Sequence, residues 1–226
     1  MMKIIIIFII IFGALKCNSE SDFQHEYGSW NAINISGKIT DKILFSATAE
    51  PWLEDNLKRI NRVYGQAFLG YKLNKNFSIW AGPEFAMVRD PIEHFAYEYT
   101  MNEMLVSEFK IKNLTINNRV RLQERFYSNT NYMTWRFRDR IRLTHPIGKS
   151  KLYAIASDEI FYDFKSPVDG RKEDFSQNRA FLGMGYKFNK YISFEAGYQP
   201  ILILRTGNAQ DLLRHTLSTQ LNFNLP

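Results

Sequence analysis

The stretch "YMTWRFRDRIRLTHPIG", residues 132–148, places arginine at 136, 138, 140 and 142. Over two residues a helix turns about 200°, which would scatter these side chains around its axis. In a strand they share one face, and Trp135, Phe137, Ile141 and Leu143 share the other. The spacing predicts a strand, and it requires an enclosure where stacked guanidiniums stay paired or hydrated behind an apolar outer face. Asp139, in register with the apolar side, is the one residue out of place.

Alternation of this kind recurs along the chain. In 213–225, Leu213, Leu217, Leu221, Phe223 and Leu225 oppose Arg214, Thr216, Ser218, Gln220, Asn222 and Asn224. In 177–188, Ala180, Leu182, Met184, Tyr186 and Phe188 oppose Gln177, Arg179 and Lys187. Segments 61–73 and 192–204 read the same way. Short polar turns fall at 36–42, 74–76, 112–113, 148–150 and 189–191, and longer connections at 54–59, 89–95, 128–131, 165–176 and 205–211. Both series repeat every 35 to 41 residues, so the unit is a β-hairpin with its loop. Short turns at one end and long loops at the other describe an antiparallel up-and-down transmembrane barrel, with periplasmic turns and extracellular loops. Eleven strands can be counted. Single-chain bacterial barrels usually have an even number, so ten or twelve are expected, with segment 26–36, the weakest in alternation, the candidate for exclusion from the wall. Aromatics near strand ends, among them Tyr71, Phe77, Trp80, Phe109, Trp135, Tyr153, Tyr162 and Tyr186, are expected to form interfacial girdles.

The N-terminus adds a location. "MMK" followed by "IIIIFIIIFGAL" (4–15) is a basic n-region and an apolar core of signal-peptide length, too short to span a bilayer as a helix. Residues 1–19 are read as a secretory signal peptide and 20–226 as an outer-membrane barrel. "ALKC" (14–17) approximates a lipoprotein box with Lys16 in place of the usual small residue, leaving lipidation of Cys17 open. Cleavage after Ser19 leaves no cysteine, hence no disulfide or thiolate site. The formal charge of +6 would suit nucleic acid, but an exported chain points to internal or headgroup roles instead.

Five stretches together resemble the DUF2490 family of bacterial proteins: "GSWNAINISGKITDKILFSATAEPWL", "FLGYKLNKNFSIWAGPEF", "RVRLQERFYSNTNYMTWRFRDRIRLTHPIG", "LYAIASDEIFYDF" and "DFSQNRAFLGMGYKFNKYISFEAGYQ". The resemblance implies a Gram-negative outer-membrane β-barrel without an established activity. Pro51 and Trp52 depart from the family's pattern, as does the ending at Pro226, beyond Phe223, the aromatic that barrel-assembly machinery would read.

Chemistry concentrates in the arginines. Arg119, Arg121 and Arg125 share a face of 115–127, so that seven of fourteen arginines lie in one hairpin. An arginine at the bilayer midplane of a barrel's outer surface costs about 2–4 kcal/mol, which places both ladders, with Arg179, in the lumen. Carboxylates must intervene between like charges, the candidates being Glu50, Glu84, Glu98, Glu108, Glu159 and Glu195. Glu124, Asp139 and Asp158 fall out of alternation. Two readings stand side by side. One is an internal arginine–carboxylate network that braces a narrow barrel, and the other is a lumen passing or binding small anionic solutes such as phosphate, sulfate or carboxylate. Neither needs a cofactor or metal, and both suit a monomer in outer-membrane lipid. Enzymatic signals are thin: His25, His94, His145 and His215 have no metal-ligand spacing, and neither GxSxG nor a P-loop occurs. "GMGYKFNK" (183–190) reads as a strand, and loop 165–176 as a solvated excursion. The alternatives are a lipid-modifying hydrolase with a rim histidine and a soluble periplasmic ligand-binding barrel.

Overall fold

Side chains that alternate between apolar and polar are satisfied here by a sheet closed on itself. The structure is a computed structural model that describes residues 23–89, 95–128, 132–165 and 171–226. The signal-peptide segment, Cys17 and His94 lie outside the described residues. Eleven strands form the barrel wall: β1 (Phe23–Lys38), β2 (Ile43–Glu54), β3 (Arg59–Lys72), β4 (Phe77–Arg89), β5 (Phe95–Ile111), β6 (Leu114–Tyr127), β7 (Met133–Pro146), β8 (Leu152–Asp163), β9 (Asp174–Lys187), β10 (Ile192–Ile203) and β11 (Asp211–Asn224). Each pairs antiparallel with its sequence neighbour, and β1 closes the barrel against β11.

That closure corrects the expectation of an even count. Successive hairpins reverse direction, so β1 and β11, both odd, run the same way, and their seam is parallel from Phe23↔Asp211 to Ser36↔Asn224. The weakest-patterned segment is a full stave. Its alternation was masked because Trp30 and Ala32 point inward while polar Ser29 and Asn31 point outward, where Thr219 donates to Asn31 across the seam at 2.8 Å. Odd parity also puts the start of β1 among the long loops and the end of β11 among the short turns.

The outer face is mainly apolar, with Leu182 70 %, Leu69 61 % and Leu217 56 % exposed, and it also carries Glu103 of β5 and Glu124 of β6. Asp139 and Asp158 do lie on this face. Each accepts an amide from the adjacent strand, Asn118 to Asp139 at 2.6 Å and Asn178 to Asp158 at 2.9 Å, which offsets part of the cost of leaving the alternation.

Inside, aromatic rings lie flat on the wall where glycine leaves room. A Cβ on Gly185 would sit 2.1 Å from the Tyr153 ring, and one on Gly70 2.5 Å from Trp80. Tyr153 and Trp80 therefore face the lumen, not the expected girdle, and Tyr127 also turns inward beneath Arg125. Their strand positions share parity with the arginines, and parity overrides proximity to a strand end. Tyr71, Phe77, Phe109, Tyr162 and Tyr186 point outward.

Candidate functional site

Pairing of β6, β7, β8 and β9 aligns the lumen charges in rungs. Arg119 lies opposite Arg140, Arg140 opposite Glu159, and Glu159 opposite Arg179; one step further on, Arg121 faces Arg138. Directly opposed guanidiniums repel, so the arrangement holds only with carboxylates threaded between them. Glu159 is that carboxylate for the central rung. It accepts from Arg119 Nη2 at 2.7 Å and from Arg138, whose Nε lies 3.1 Å and Nη2 2.9 Å away.

Toward the long loops the lumen is filled. Arg125 Nε donates to Glu98 at 2.6 Å, and Arg136 grips Asp163 with Nε at 2.8 Å and Nη2 at 3.2 Å, a forked pair that Ser176 completes. Beside them Glu84 accepts from Tyr64 Oη at 2.9 Å and Gln123 at 3.2 Å, and Gln123 also reaches Asn102 at 2.9 Å. Arg125 and Asp163 are 0 % exposed. Such burial is tolerable because nearly every donor meets an acceptor, and removing one partner strands the other. This layer forms a floor across the barrel.

On the other side of the floor a cavity of about 610 Å³ opens toward the short turns, where Ser36, Ser46, Thr144 and Asn224 line it. Nine arginines and six glutamates contribute to its wall. Arg142 Nη2 contacts both Glu195 oxygens at 2.7 and 2.8 Å, and Tyr153 donates to the same carboxylate at 2.9 Å. Among the described residues, Arg62, Arg140 and Arg179 make no carboxylate pair. Arg140 bonds only Asn117, at 3.4 Å. Arg62 lies 5.0 Å above the Trp52 ring. Arg179 stacks on Trp30 at 4.8 Å and Phe161 at 4.5 Å, and Trp30 and Trp52 stack on each other at 3.9 Å. The cavity wall thus holds three guanidiniums without a carboxylate pair, two of them stacked on rings and one on an amide.

Of the eight arginines expected in the lumen, Arg119, Arg121, Arg136, Arg138, Arg140, Arg142 and Arg179 line the cavity and Arg125 is sealed in the floor. All six candidate carboxylates line it as well. Glu84, Glu98, Glu159 and Glu195 have arginine partners, whereas Glu50 and Glu108 do not. The sequence reading missed Asp163, although its parity on β8 matches Glu159. It also missed the lumen aromatics Trp30, Trp52, Phe161 and Phe181, which a polar-lumen pattern does not anticipate. Arg171, in the loop read as a solvated excursion, turns inward to Gln177 at 2.9 Å and is buried. A second ion-pair cluster, Arg214 with Glu54 at 2.6 Å and Glu26 at 3.1 Å, sits near the long loops. Of the histidines, His145 is exposed at the end of β7, while His215 bonds His25 at 3.0 Å and Tyr198 at 2.6 Å.

The chain is similar to several known proteins. An uncharacterized protein of Methylorubrum extorquens is 20 % identical over 174 residues, 75 % of each chain. LpxR from Salmonella typhimurium superposes with a TM-score of 0.49 at 8 % identity, covering 80 % of this chain and 83 % of LpxR. The family model described as "Protein of unknown function (DUF2490)" matches residues 27–212, from the fifth residue of β1 to the start of β11, and the chain belongs to that family.

Proposed function

We propose that the protein is a monomeric outer-membrane barrel, non-enzymatic, that binds small anionic solutes in its lumen from the short-turn, periplasmic side. The observation that carries the binding reading is the wall itself, in which nine arginines oppose six glutamates and Arg62, Arg140 and Arg179 lack a carboxylate. Guanidiniums hold their protons, so this array recognises anions without acting as acid or base. Placement in the membrane is supported by the apolar outer face and by strands of 12 to 17 residues, longer than the 9–11 needed to cross a bilayer. Outward aromatics at both ends add to it: Tyr71, Phe77 and Tyr186 near the short turns, Tyr99, Tyr162 and Tyr198 near the long loops. Outer-membrane lipid and the barrel-assembly machinery are the partners this reading requires; nucleic acid is not.

The test is calorimetric titration of the refolded full chain, in a maltoside detergent, with phosphate, sulfate and succinate. Saturable binding that weakens about tenfold or more in Arg179→Gln supports the reading. Heat that never saturates with any of the three, from a barrel shown to be folded, would refute it.

A further inference from the structure

The cavity holds a feature that an anion-only site has no use for. Glu50, half-buried in the wall on β2, makes no ion pair, yet across the lumen it faces Arg179, whose Nε is buried without an acceptor. Arg140 Nε is likewise unpartnered, and so is the indole N–H of Trp30, a side chain only 3 % exposed. One carboxylate without an ion pair and two guanidiniums without a carboxylate partner therefore line the same cavity. A simple anion would satisfy the donors but be repelled by Glu50. A simple cation would find Glu50 but be repelled by the surrounding arginines.

We propose that the cavity is a site for a small zwitterion, its phosphate or carboxylate held by Arg179 and Arg140, its ammonium group received by Glu50. This rests on the anion-binding reading and narrows it to a ligand class. A volume of about 610 Å³ is far more than a bare phosphate fills and lies within the range of organic-ligand sites. The opening is lined by hydroxyls and amides at Ser36, Ser46, Asn222 and Asn224, which suits a soluble solute better than one carrying acyl chains.

The probes are inorganic phosphate, ethanolamine, phosphoethanolamine and dihexanoyl phosphatidylethanolamine, titrated into the folded chain in maltoside. Phosphoethanolamine is expected to bind at least tenfold tighter than phosphate, and ethanolamine not measurably. In Glu50→Gln, which keeps shape and loses charge, that preference should collapse while phosphate binds as well as before or better. Arg179→Gln should weaken both. Equal affinity of the unsubstituted protein for phosphate and phosphoethanolamine overturns the zwitterion and leaves the anion reading standing; no binding of either overturns both. These comparisons are decided on the unsubstituted protein, so they do not depend on folding of the variants. Weaker binding of the short-chain lipid than of the free headgroup confirms a soluble solute, and tighter binding overturns that assignment.

Discussion

At the scale of single residues, the lumen separates two kinds of arginine. Arg125, Arg136 and Arg138 are paired at 2.6–3.1 Å with Glu98, Asp163 and Glu159 and are nearly inaccessible. Arg140 and Arg179 lie opposite Glu159 in register and beside other arginines, but neither forms an ion pair with a described carboxylate. The two kinds should respond differently to neutralisation. Glu159→Gln strands Arg119 and Arg138 in a low-dielectric interior, and breaking buried pairs of this type costs about 3–5 kcal/mol. Arg140→Gln removes repulsion from Arg119 together with a longer-range attraction to Glu159, breaks no ion pair, and should change stability by far less. Urea unfolding in detergent, followed by tryptophan fluorescence, checks the order. A Glu159→Gln variant no less stable than Arg140→Gln would mean that Glu159 is not the carboxylate holding the rung together.

At the scale of the strand, glycine and ring positions are coupled. β9 carries Gly183 and Gly185 on its lumen side, and the Tyr153 ring of β8 lies against Gly185 so that its hydroxyl reaches Glu195. Gly185→Ala must displace that ring, and the expected destabilisation is about 1–3 kcal/mol, typical of overpacking. With Tyr153 already truncated to alanine, the same change should cost little. A double-mutant cycle on unfolding free energies measures this, and additive effects would contradict the contact. Segment 183–190 reads in sequence as a strand, and its residues 183–187 are the end of β9. What its glycines accommodate depends on register with β8, which no single segment encodes.

At the scale of the whole molecule, eleven strands force a parallel seam, and a buried floor of side chains narrows the lumen. The seam predicts disulfides in chains carrying Ser29→Cys with Leu217→Cys, or Ile33→Cys with Leu221→Cys, in a Cys17→Ser background. Ser29→Cys with Leu221→Cys should not link. Since both productive pairs advance in the same direction along β1 and β11, their formation is specific to parallel pairing, and mobility on unreduced gels reads it. The floor predicts a barrel in planar bilayers that stays electrically silent. Truncating Arg125, Glu98 and Asp163 together to alanine should open it, giving steady currents. Steady conductance from the unsubstituted chain would show that the floor yields under those conditions.

Alternation with a period of two was enough to make the chain a barrel, to set the inward face of most strands and to place seven arginines of one hairpin in the lumen. That signal is local, since each residue's face follows from its own strand. Closure is a property of the set: whether β1 joins, and in which direction it meets β11, depends on the parity of all eleven strands. The same holds for the charges. Sequence assigned Glu50 and Glu159 to one lumen with equal standing, yet register set Glu159 among arginines within hydrogen-bond reach and left Glu50 without an ion pair. Pairing across a lumen is decided by strand stagger and barrel width, quantities that exist only when the sheet is closed.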